Sequence, residues 1–417
     1  MNAPCKLHIR MPDGEARVLG WDPENRFLEG FDGLGDDLAD VLENDRRRMA
    51  EEAKTHDLRL KLGEACNFRC SYCIQGDHPP LVRLSPRVLE MLAARVALQC
   101  ERDPHLNHFT FWGGEPLLHY PAVQTLTAAI LRLRPGAEFS LTTNGLLLDE
   151  AKAEFFLENR FTVSISHDGP GQALRGSDTL AEGTASRRAA EMLLAAAPER
   201  FSVNPIFARG NPGQKAVAEW FEARFGPRLM LGEATPCWPV DAASLAQSMP
   251  EAELPGYAAR FLADLNQNPD LLNRYPVYRR AVSGFLLGLG RPLPPGGLCH
   301  AYREPPCVGL WDGTVMACHN TGPDHVFVTG MVNTGGRLGE DLAPLDLPDW
   351  RTRGGGRCRT CPALPLCRGG CPMVDDEMWE KQCPQRYWHN LPLLAAGLSL
   401  VTGGGLLTGV ERGGAAA

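Results

Sequence analysis

The chain has no excess of positive charge. Its 42 Lys and Arg are outnumbered by 50 Asp and Glu, for a formal net charge of −8. That argues against a nucleic-acid-binding surface, which needs a basic patch, although a local basic groove for a peptide is still compatible. No apolar leader opens the chain, because residues 1–10 are polar. The expectation is a cytoplasmic protein whose thiols stay reduced. Strongly apolar runs are also missing. Residues 391–410 carry no charge and have the length of a membrane span. They are only mildly apolar, however, and are interrupted by Gly397 and by Gly403-Gly404-Gly405. A terminal helix followed by a loose Gly/Ala tail is expected there, with no membrane span. No internal repeat occurs beyond an alternation of strand and helix. With 44% hydrophobic and 22% charged residues the chain can build an ordinary globular core.

Against these absences stand 14 cysteines. In a reducing compartment, thiols this dense read as metal ligands or catalysts rather than as disulfides. Cys66, Cys70 and Cys73 form a CxxxCxxC run just after an apolar strand. Far downstream lies Cys358-x2-Cys361-x5-Cys367-x3-Cys371, with Cys383 after it and Cys299 and Cys318 before it. Thiolates suit soft centres, and iron–sulfur clusters use Cys in this way. The first set offers only three ligands, so a cubane held there keeps one iron open. Zinc suits the first set poorly, since a fourth close ligand is lacking.

Apolar or β-prone runs at 58–63, 108–112, 138–142, 162–166, 201–207 and 228–231 alternate with helical stretches at 85–102, 121–133, 149–158, 181–197 and 214–224. Ser85 followed by Pro86 is a strong helix start. Six strands with helices between them imply a parallel sheet with helices outside, an α/β fold of the partial (β/α)6, TIM-like kind. The unusual sequences all follow strands. They are the cysteine loop, Gly113-Gly114-Glu115-Pro116, Thr142-Thr143-Asn144-Gly145, Ser164-Ile165-Ser166-His167-Asp168-Gly169-Pro170, Ala208-Arg209-Gly210-Asn211 and Gly232-Glu233-Ala234-Thr235-Pro236-Cys237. In barrel-like folds that carboxyl-end face carries the active site.

The CxxxCxxC set, the Gly-Gly-Glu-Pro run and the six-stranded order resemble the radical S-adenosylmethionine (radical SAM) enzymes over about residues 57–235. The resemblance implies that Cys66, Cys70 and Cys73 hold a 4Fe–4S cluster whose open iron is chelated by SAM. It implies SAM contacts from Tyr72 near the adenine, and from Gly113, Gly114, Glu115 and Pro116 around the amino group. Asn144, Ser166 and, more weakly, Ser164 are further contacts. Arg187 or Arg175 would meet the carboxylate, where a guanidinium fork fits. His167 departs from the family's Ser-x-Asp-Gly-Pro usage, in which an apolar residue is usual. The C-terminal cysteines resemble the SPASM module, an auxiliary-cluster domain. That resemblance assigns Cys299, Cys318 and Cys371 to a first auxiliary 4Fe–4S cluster, which Cys307 could complete. It assigns Cys358, Cys361, Cys367 and Cys383 to a second.

The expected organisation is an N-terminal appendage of hairpin and helix (1–56), the radical SAM core (57–235), a helical linker (236–297), the SPASM domain (298–390) and an apolar, Gly-rich tail (391–417). Cys5 and Cys100 read as ordinary thiols, and Cys237 as a loop thiol at the active face or a substrate contact. His319 is a candidate proton acceptor beside the first auxiliary cluster. The implied partners are a peptide or protein substrate and a reductant such as flavodoxin or ferredoxin. The expected activity is ribosomal-peptide maturation, similar to the anaerobic sulfatase-maturating enzymes. A sulfatase-maturase-like protein oxidase, a small-molecule dehydrogenase, a structural zinc protein and a non-catalytic electron carrier are the alternatives.

Overall fold

In the computed structural model, residues 4–52, 56–76, 78–299, 302, 307–309, 314–316, 318, 320, 328–331 and 347–412 are described. The chain opens with β1 (Cys5–Arg10), β2 (Ala16–Asp22), β3 (Phe27–Leu28) and α1 (Asp36–Glu52). The strand–helix alternation follows: β4 (His56–Lys61), α2 (Pro86–Arg102), β5 (Leu106–Trp112), α3 (Tyr120–Leu133), β6 (Glu138–Thr143), α4 (Glu150–Glu158), β7 (Phe161–Ser166), α5 (Ala185–Ala196), β8 (Phe201–Asn204), β9 (Ile206–Phe207), α6 (Gln214–Phe225), β10 (Met230–Leu231) and β11 (Thr235–Pro236). Helices α7 (Ala242–Gln247), α8 (Leu254–Gln267), α9 (Leu271–Arg274) and α10 (Pro276–Gly288) lead to β12 (Cys307–Gly309), β13 (Thr314–Met316) and β14 (Val328–Met331). The chain closes with α11 (Leu364–Cys367), α12 (Asp376–Val401) and β15 (Leu406–Arg412).

The six expected strands are present as β4, β5, β6, β7, β8 and β10, all parallel to their neighbours. Their side chains alternate between two faces. One face carries Phe109, Phe111, Phe139, Leu141, Phe161, Val163 and Ile165, all buried against the helices. Phe139 and Phe161 stack with ring centroids 5.0 Å apart. The other face, which lines the barrel, is polar. His108 Nδ1 lies 2.9 Å from Asp57 Oδ1, His108 Nε2 lies 2.8 Å from Ser140 Oγ, and the Thr110 hydroxyl donates to Asp57 at 2.8 Å. A closed barrel of this class fills its interior with branched apolar side chains. A hydroxyl-lined interior is a site rather than a core.

Three expectations change. The strand expected over 201–207 splits at Pro205, which has no N–H for the ladder, and β9 pairs instead with β11. The helix expected from 181 begins at Ala185, because Thr184 caps it by accepting from the Arg187 N–H. The loose tail expected after the terminal helix is a strand over 406–412. It pairs antiparallel with β1, so the sheet order is β15-β1-β2-β3. An unpaired β1 would leave a row of open backbone groups, and β15 closes it.

This N-terminal sheet shares the main core through Cys5, Leu7, Ile9, Trp21 and Leu28. Trp21 meets Phe285 edge-on at 5.7 Å and donates to the Pro362 carbonyl at 3.1 Å. The first segment therefore packs into the body of the protein rather than standing off it. Helix α12 runs unbroken across residues 390 and 391, although Pro384 and Pro392 lie inside it. Strand β12 pairs parallel with β4, so the barrel sheet continues into the C-terminal cysteine module as nine strands. No helix among the described residues is long and apolar enough to cross a membrane.

Candidate active site and cysteine cavity

The cysteine loop after β4 and the Gly-Gly-Glu-Pro loop after β5 are stitched together by their backbones. Gly114 N–H donates to the Gly63 carbonyl at 3.0 Å, and Glu115 N–H to the Ala65 carbonyl at 2.9 Å. A Cβ on Gly114 would lie 2.4 Å from the carbonyl oxygens of both Glu64 and Ala65. Gly113 has φ +150°, and a Cβ there would lie 2.5 Å from the Gly63 oxygen. Close approach of the two loops is the physical reason for both glycines.

Glu115 is buried and its carboxylate accepts from three donors. It accepts from Leu117 N–H at 2.9 Å, from the Thr143 hydroxyl at 2.7 Å and from Asn144 N–H at 2.7 Å. Burial pushes its pKa up, against those three donors. Its side chain ties the β5 loop to the end of β6. Pro116 starts a short buried turn, Pro116–His119, behind it. Asn144 extends the tie forward. Its Nδ2 donates to Asn67 Oδ1 at 2.6 Å and lies 3.7 Å from Cys66 Sγ, which also receives the Phe68 N–H at 3.4 Å.

Tyr72 turns inward and donates its hydroxyl to Asp168 Oδ2. Asp168 Oδ1 accepts from Arg175 Nε at 2.9 Å and from Ile206 N–H at 2.8 Å. The Arg175 guanidinium sits 5.4 Å from the centre of the Tyr72 ring. Burial, with Asp168 beside it, holds the Tyr72 phenol well above its ordinary range. Burial disfavours the Arg175 charge, but Asp168, Tyr72 and Cys70 outweigh it and raise its pKa.

Of the two arginine candidates, only Arg175 is brought to the cysteine loop. Arg187 Nε instead donates to Glu191 at 2.6 Å, and its guanidinium lies 4.0 Å over the Phe225 ring. Ser164 shares a 2.8 Å hydrogen bond with Ser202 inside the barrel. Ser166 ends β7 in register with Asn204. His167, the departure from family usage, is accounted for by packing. It is buried, stacks on Trp220 at 5.4 Å, accepts from Gly169 N–H at Nδ1 and donates from Nε2 to Asp178.

The C-terminal cysteines fall into two places. Cys358, Cys361, Cys367 and Cys383 line one cavity, together with Arg357, Arg386, Arg412, Trp379 and Tyr387. At a second place Cys318 has both Cys299 and Cys371 near it. Cys307 lies on β12, and His319 lies outside the described residues. Cys5 and Cys100 are buried free thiols, and Cys5 donates to the Thr360 carbonyl at 3.1 Å. Cys237 packs with Tyr72 and Cys70, and burial pushes its pKa up to about 12.

Burial also raises the thiols of Cys66 and Cys73, and pushes Cys70 and Cys383 up to about 11. Buried thiols of this kind become thiolates when a metal supplies the positive charge. No three Cys, His or acidic side chains among the described residues converge as they would on a single metal ion. Four thiols around a cavity are the donor set that a multinuclear cluster takes. The residues present therefore fit iron–sulfur clusters.

Two residues at the site were not singled out from the sequence. Asp168 lies within the Ser-x-Asp-Gly-Pro run, so the motif itself carried the signal. His78 Nε2 lies 3.5 Å from Cys73 Sγ, with Nδ1 on the Glu64 carbonyl at 3.0 Å. Nothing in its local sequence marks it.

Residues 60–196 match the Radical SAM superfamily. The Cys-type anaerobic sulfatase-maturating enzyme of Clostridium perfringens is 35% identical over 118 residues, which are 25% of this chain and 30% of that protein. The GTP 3′,8-cyclase of Microcystis aeruginosa is 33% identical over 115 residues, 27% of this chain and 34% of that one. The chain thus spans about a third of the length of these curated relatives. Among solved structures, native anSMEcpe with bound AdoMet superposes with a TM-score of 0.58 at 22% identity, over 81% of this chain and 97% of that one. This likeness shows a shared fold. Motif, loop geometry and family match agree on one statement: the chain carries a radical SAM domain.

Proposed function

We propose that the protein is a radical SAM enzyme that modifies a peptide or protein substrate, in the manner of a ribosomal-peptide maturase. Cys66, Cys70 and Cys73 would hold the SAM-binding 4Fe–4S cluster. The cavity of Cys358, Cys361, Cys367 and Cys383 would hold one auxiliary cluster, and Cys299, Cys318 and Cys371 another. Bound there, cluster and SAM together supply a 5′-deoxyadenosyl radical by one-electron reductive cleavage, and that radical abstracts hydrogen from the substrate. A reductant such as flavodoxin or ferredoxin would deliver the electron.

The chain's own residues position SAM and shield the site. Arg175, oriented by Asp168, offers a fork for the SAM carboxylate. The Tyr72 ring, pinned by the same Asp168, offers an apolar face to the adenine. The Gly113–Gly114 backbone presents carbonyls to the amino group, and Ser164 and Ser166 offer hydroxyls from β7. The polar barrel interior beneath leaves room for hydrogen bonds to a peptide. The observation that carries the reading is the tied pair of loops, with three cysteines on one and two close-approach glycines on the other. Support for a peptide substrate comes from the shared fold, since anSMEcpe was also solved with bound AdoMet and Cp18Cys peptide.

Three clusters correspond to about twelve iron per chain. Replacing Cys66, Cys70 and Cys73 together by Ala is expected to remove about a third of that iron and all SAM cleavage. Continued formation of 5′-deoxyadenosine with dithionite in that variant would refute the assignment.

A further inference from the structure

The four-cysteine cavity has an unusual charge environment. Three guanidiniums line it, each from a different element. Arg357 precedes Cys358, Arg386 is on α12 one turn after Cys383, and Arg412 ends β15. Only Arg357 has a carboxylate partner, the half-exposed Glu380. Arg386 donates from Nε to the neutral Gln382 amide oxygen at 2.5 Å and lies 4.5 Å over the Trp238 ring. Arg412 lies 4.4 Å over the Tyr387 ring. Neither Arg386 nor Arg412 forms an ion pair with a carboxylate among the described residues. Among the described residues no Asp or Glu lines the cavity itself.

The 66–73 loop is different. Of its nearby cations, Arg175 is paired with Asp168, and Arg69 donates to the neutral loop carbonyls of Cys66 and Phe68. The buried carboxylate of Glu115 sits behind that loop. Nearby carboxylates therefore match nearby cations at the first place, and guanidiniums predominate at the second.

We propose that Arg357, Arg386 and Arg412 form a cationic collar that favours the reduced state of an iron–sulfur cluster in the four-cysteine cavity. This rests on the cluster reading given above. Adding an electron to a four-thiolate cluster adds negative charge to a group that is already anionic. Uncompensated positive charge within a few ångströms stabilises the more negative state, most strongly where protein excludes water. The same collar gives β15 a role beyond closing the sheet edge, because it delivers Arg412 to the cavity rim.

The test is a potentiometric titration of the anaerobic holoprotein followed by electron paramagnetic resonance. The cavity signal is identified as the one lost in Cys358→Ser/Cys361→Ser, and the loop signal as the one lost when Cys66, Cys70 and Cys73 become Ala. In the wild type the cavity signal is expected to appear at the less negative potential. In Arg386→Gln/Arg412→Gln the reduced-to-oxidised ratio of the cavity cluster at a fixed potential is expected to fall about tenfold, which is about 59 mV for a one-electron couple. Arg386→Lys/Arg412→Lys, which keeps the charge, should stay close to wild type. An unchanged potential in the Gln variant with its iron intact would overturn the inference. So would an equal shift in the Lys variant, or the reverse order of the two signals in the wild type. Absence of any cavity signal from the wild type would overturn the cluster reading itself, and the inference with it.

Discussion

The two cysteine regions are built on opposite principles. The 66–73 loop has three thiols in eight residues, carried on a turn whose base is held from behind by the Gly114 and Glu115 N–H groups on the Gly63 and Ala65 carbonyls, and by Asn144 Nδ2 on Asn67. What orders it comes from the carboxyl ends of β4, β5 and β6 and from the segment after β7, where Asp168 accepts from Tyr72 and the Leu174 carbonyl accepts from Ser71 N–H. The four-cysteine cavity draws its thiols from the turn around Cys358 and Cys361, from α11 and from α12, and its rim includes Arg412 of β15. The first arrangement keeps one side of a ligand set open to another molecule. The second places thiols on several sides of one cavity. On the cluster reading proposed above, the first would leave a coordination position for chemistry and the second would enclose a cluster suited to electron storage.

Variants that strike one region and spare the other sharpen this contrast. The largest effect is expected from Trp379→Ala. Trp379 is buried against the cavity, and its Nε1 donates to the Gly369 carbonyl at 2.8 Å. Truncation should cost about 3–5 kcal/mol of stability and loosen the cavity. Calorimetry should show the loss, with iron falling by about a third while SAM cleavage at the loop persists in the folded fraction. Equal loss of iron from both regions would break the comparison.

Gly114→Ala attacks the other side. A Cβ 2.4 Å from two carbonyl oxygens must push the loops apart. A displacement of about 1 Å at a reacting centre costs on the order of 100-fold in rate. SAM cleavage measured as 5′-deoxyadenosine should fall by that order, with the cavity cluster's spectrum unchanged. Wild-type cleavage in this variant would show that the close approach is not needed.

A smaller effect belongs to the barrel interior. Burial works to raise the Asp57 carboxyl, but His108, Arg59 and Thr110 outweigh it and hold its pKa below the ordinary value. A lowered folded-state pKa means that the carboxylate stabilises the fold above its ordinary range, and that this contribution is lost as pH falls through the lowered value. Asp57→Asn should therefore flatten the acid side of a plot of melting temperature against pH. An unchanged acid limb would show that Asp57 is not coupled to folding.

The smallest effect is expected for Arg187→Gln. Its partner Glu191 is exposed, but Arg187 itself is largely covered, lies over Phe225 and also donates to the Arg224 carbonyl, so stability should fall by about 1 kcal/mol with no effect at the cysteine loop. SAM affinity by equilibrium dialysis should be unchanged. A clear weakening would restore Arg187 over Arg175 as the residue that meets the carboxylate.

The six parallel strands and the placement of every motif at their carboxyl ends were legible because apolar periodicity and turn residues are local signals. Thr184 and Pro205 moved two boundaries for equally local reasons, a cap and a missing N–H. The role of Glu115 was not legible, because a carboxylate aimed outward and one folded back onto Thr143 and Asn144 have the same sequence. The choice between Arg175 and Arg187 depended on which helix end turns toward Asp168, a tertiary fact. The collar was invisible for the same reason. Arg357, Arg386 and Arg412 share no spacing, and only the pairing of β15 with β1 brings the last of them to the cavity.

That pairing also dictates an order of events during synthesis. His8 and Thr408, which share a hydrogen bond across it, are 400 residues apart. While the chain emerges from the ribosome, β1 waits with one edge open and its buried face, Leu7 and Ile9, without its final cover. The strand that completes the sheet also brings up the last side chain of the cavity rim. The sheet edge and the Arg412 corner of the cavity are therefore completed together, and only after all of the intervening chain has been made.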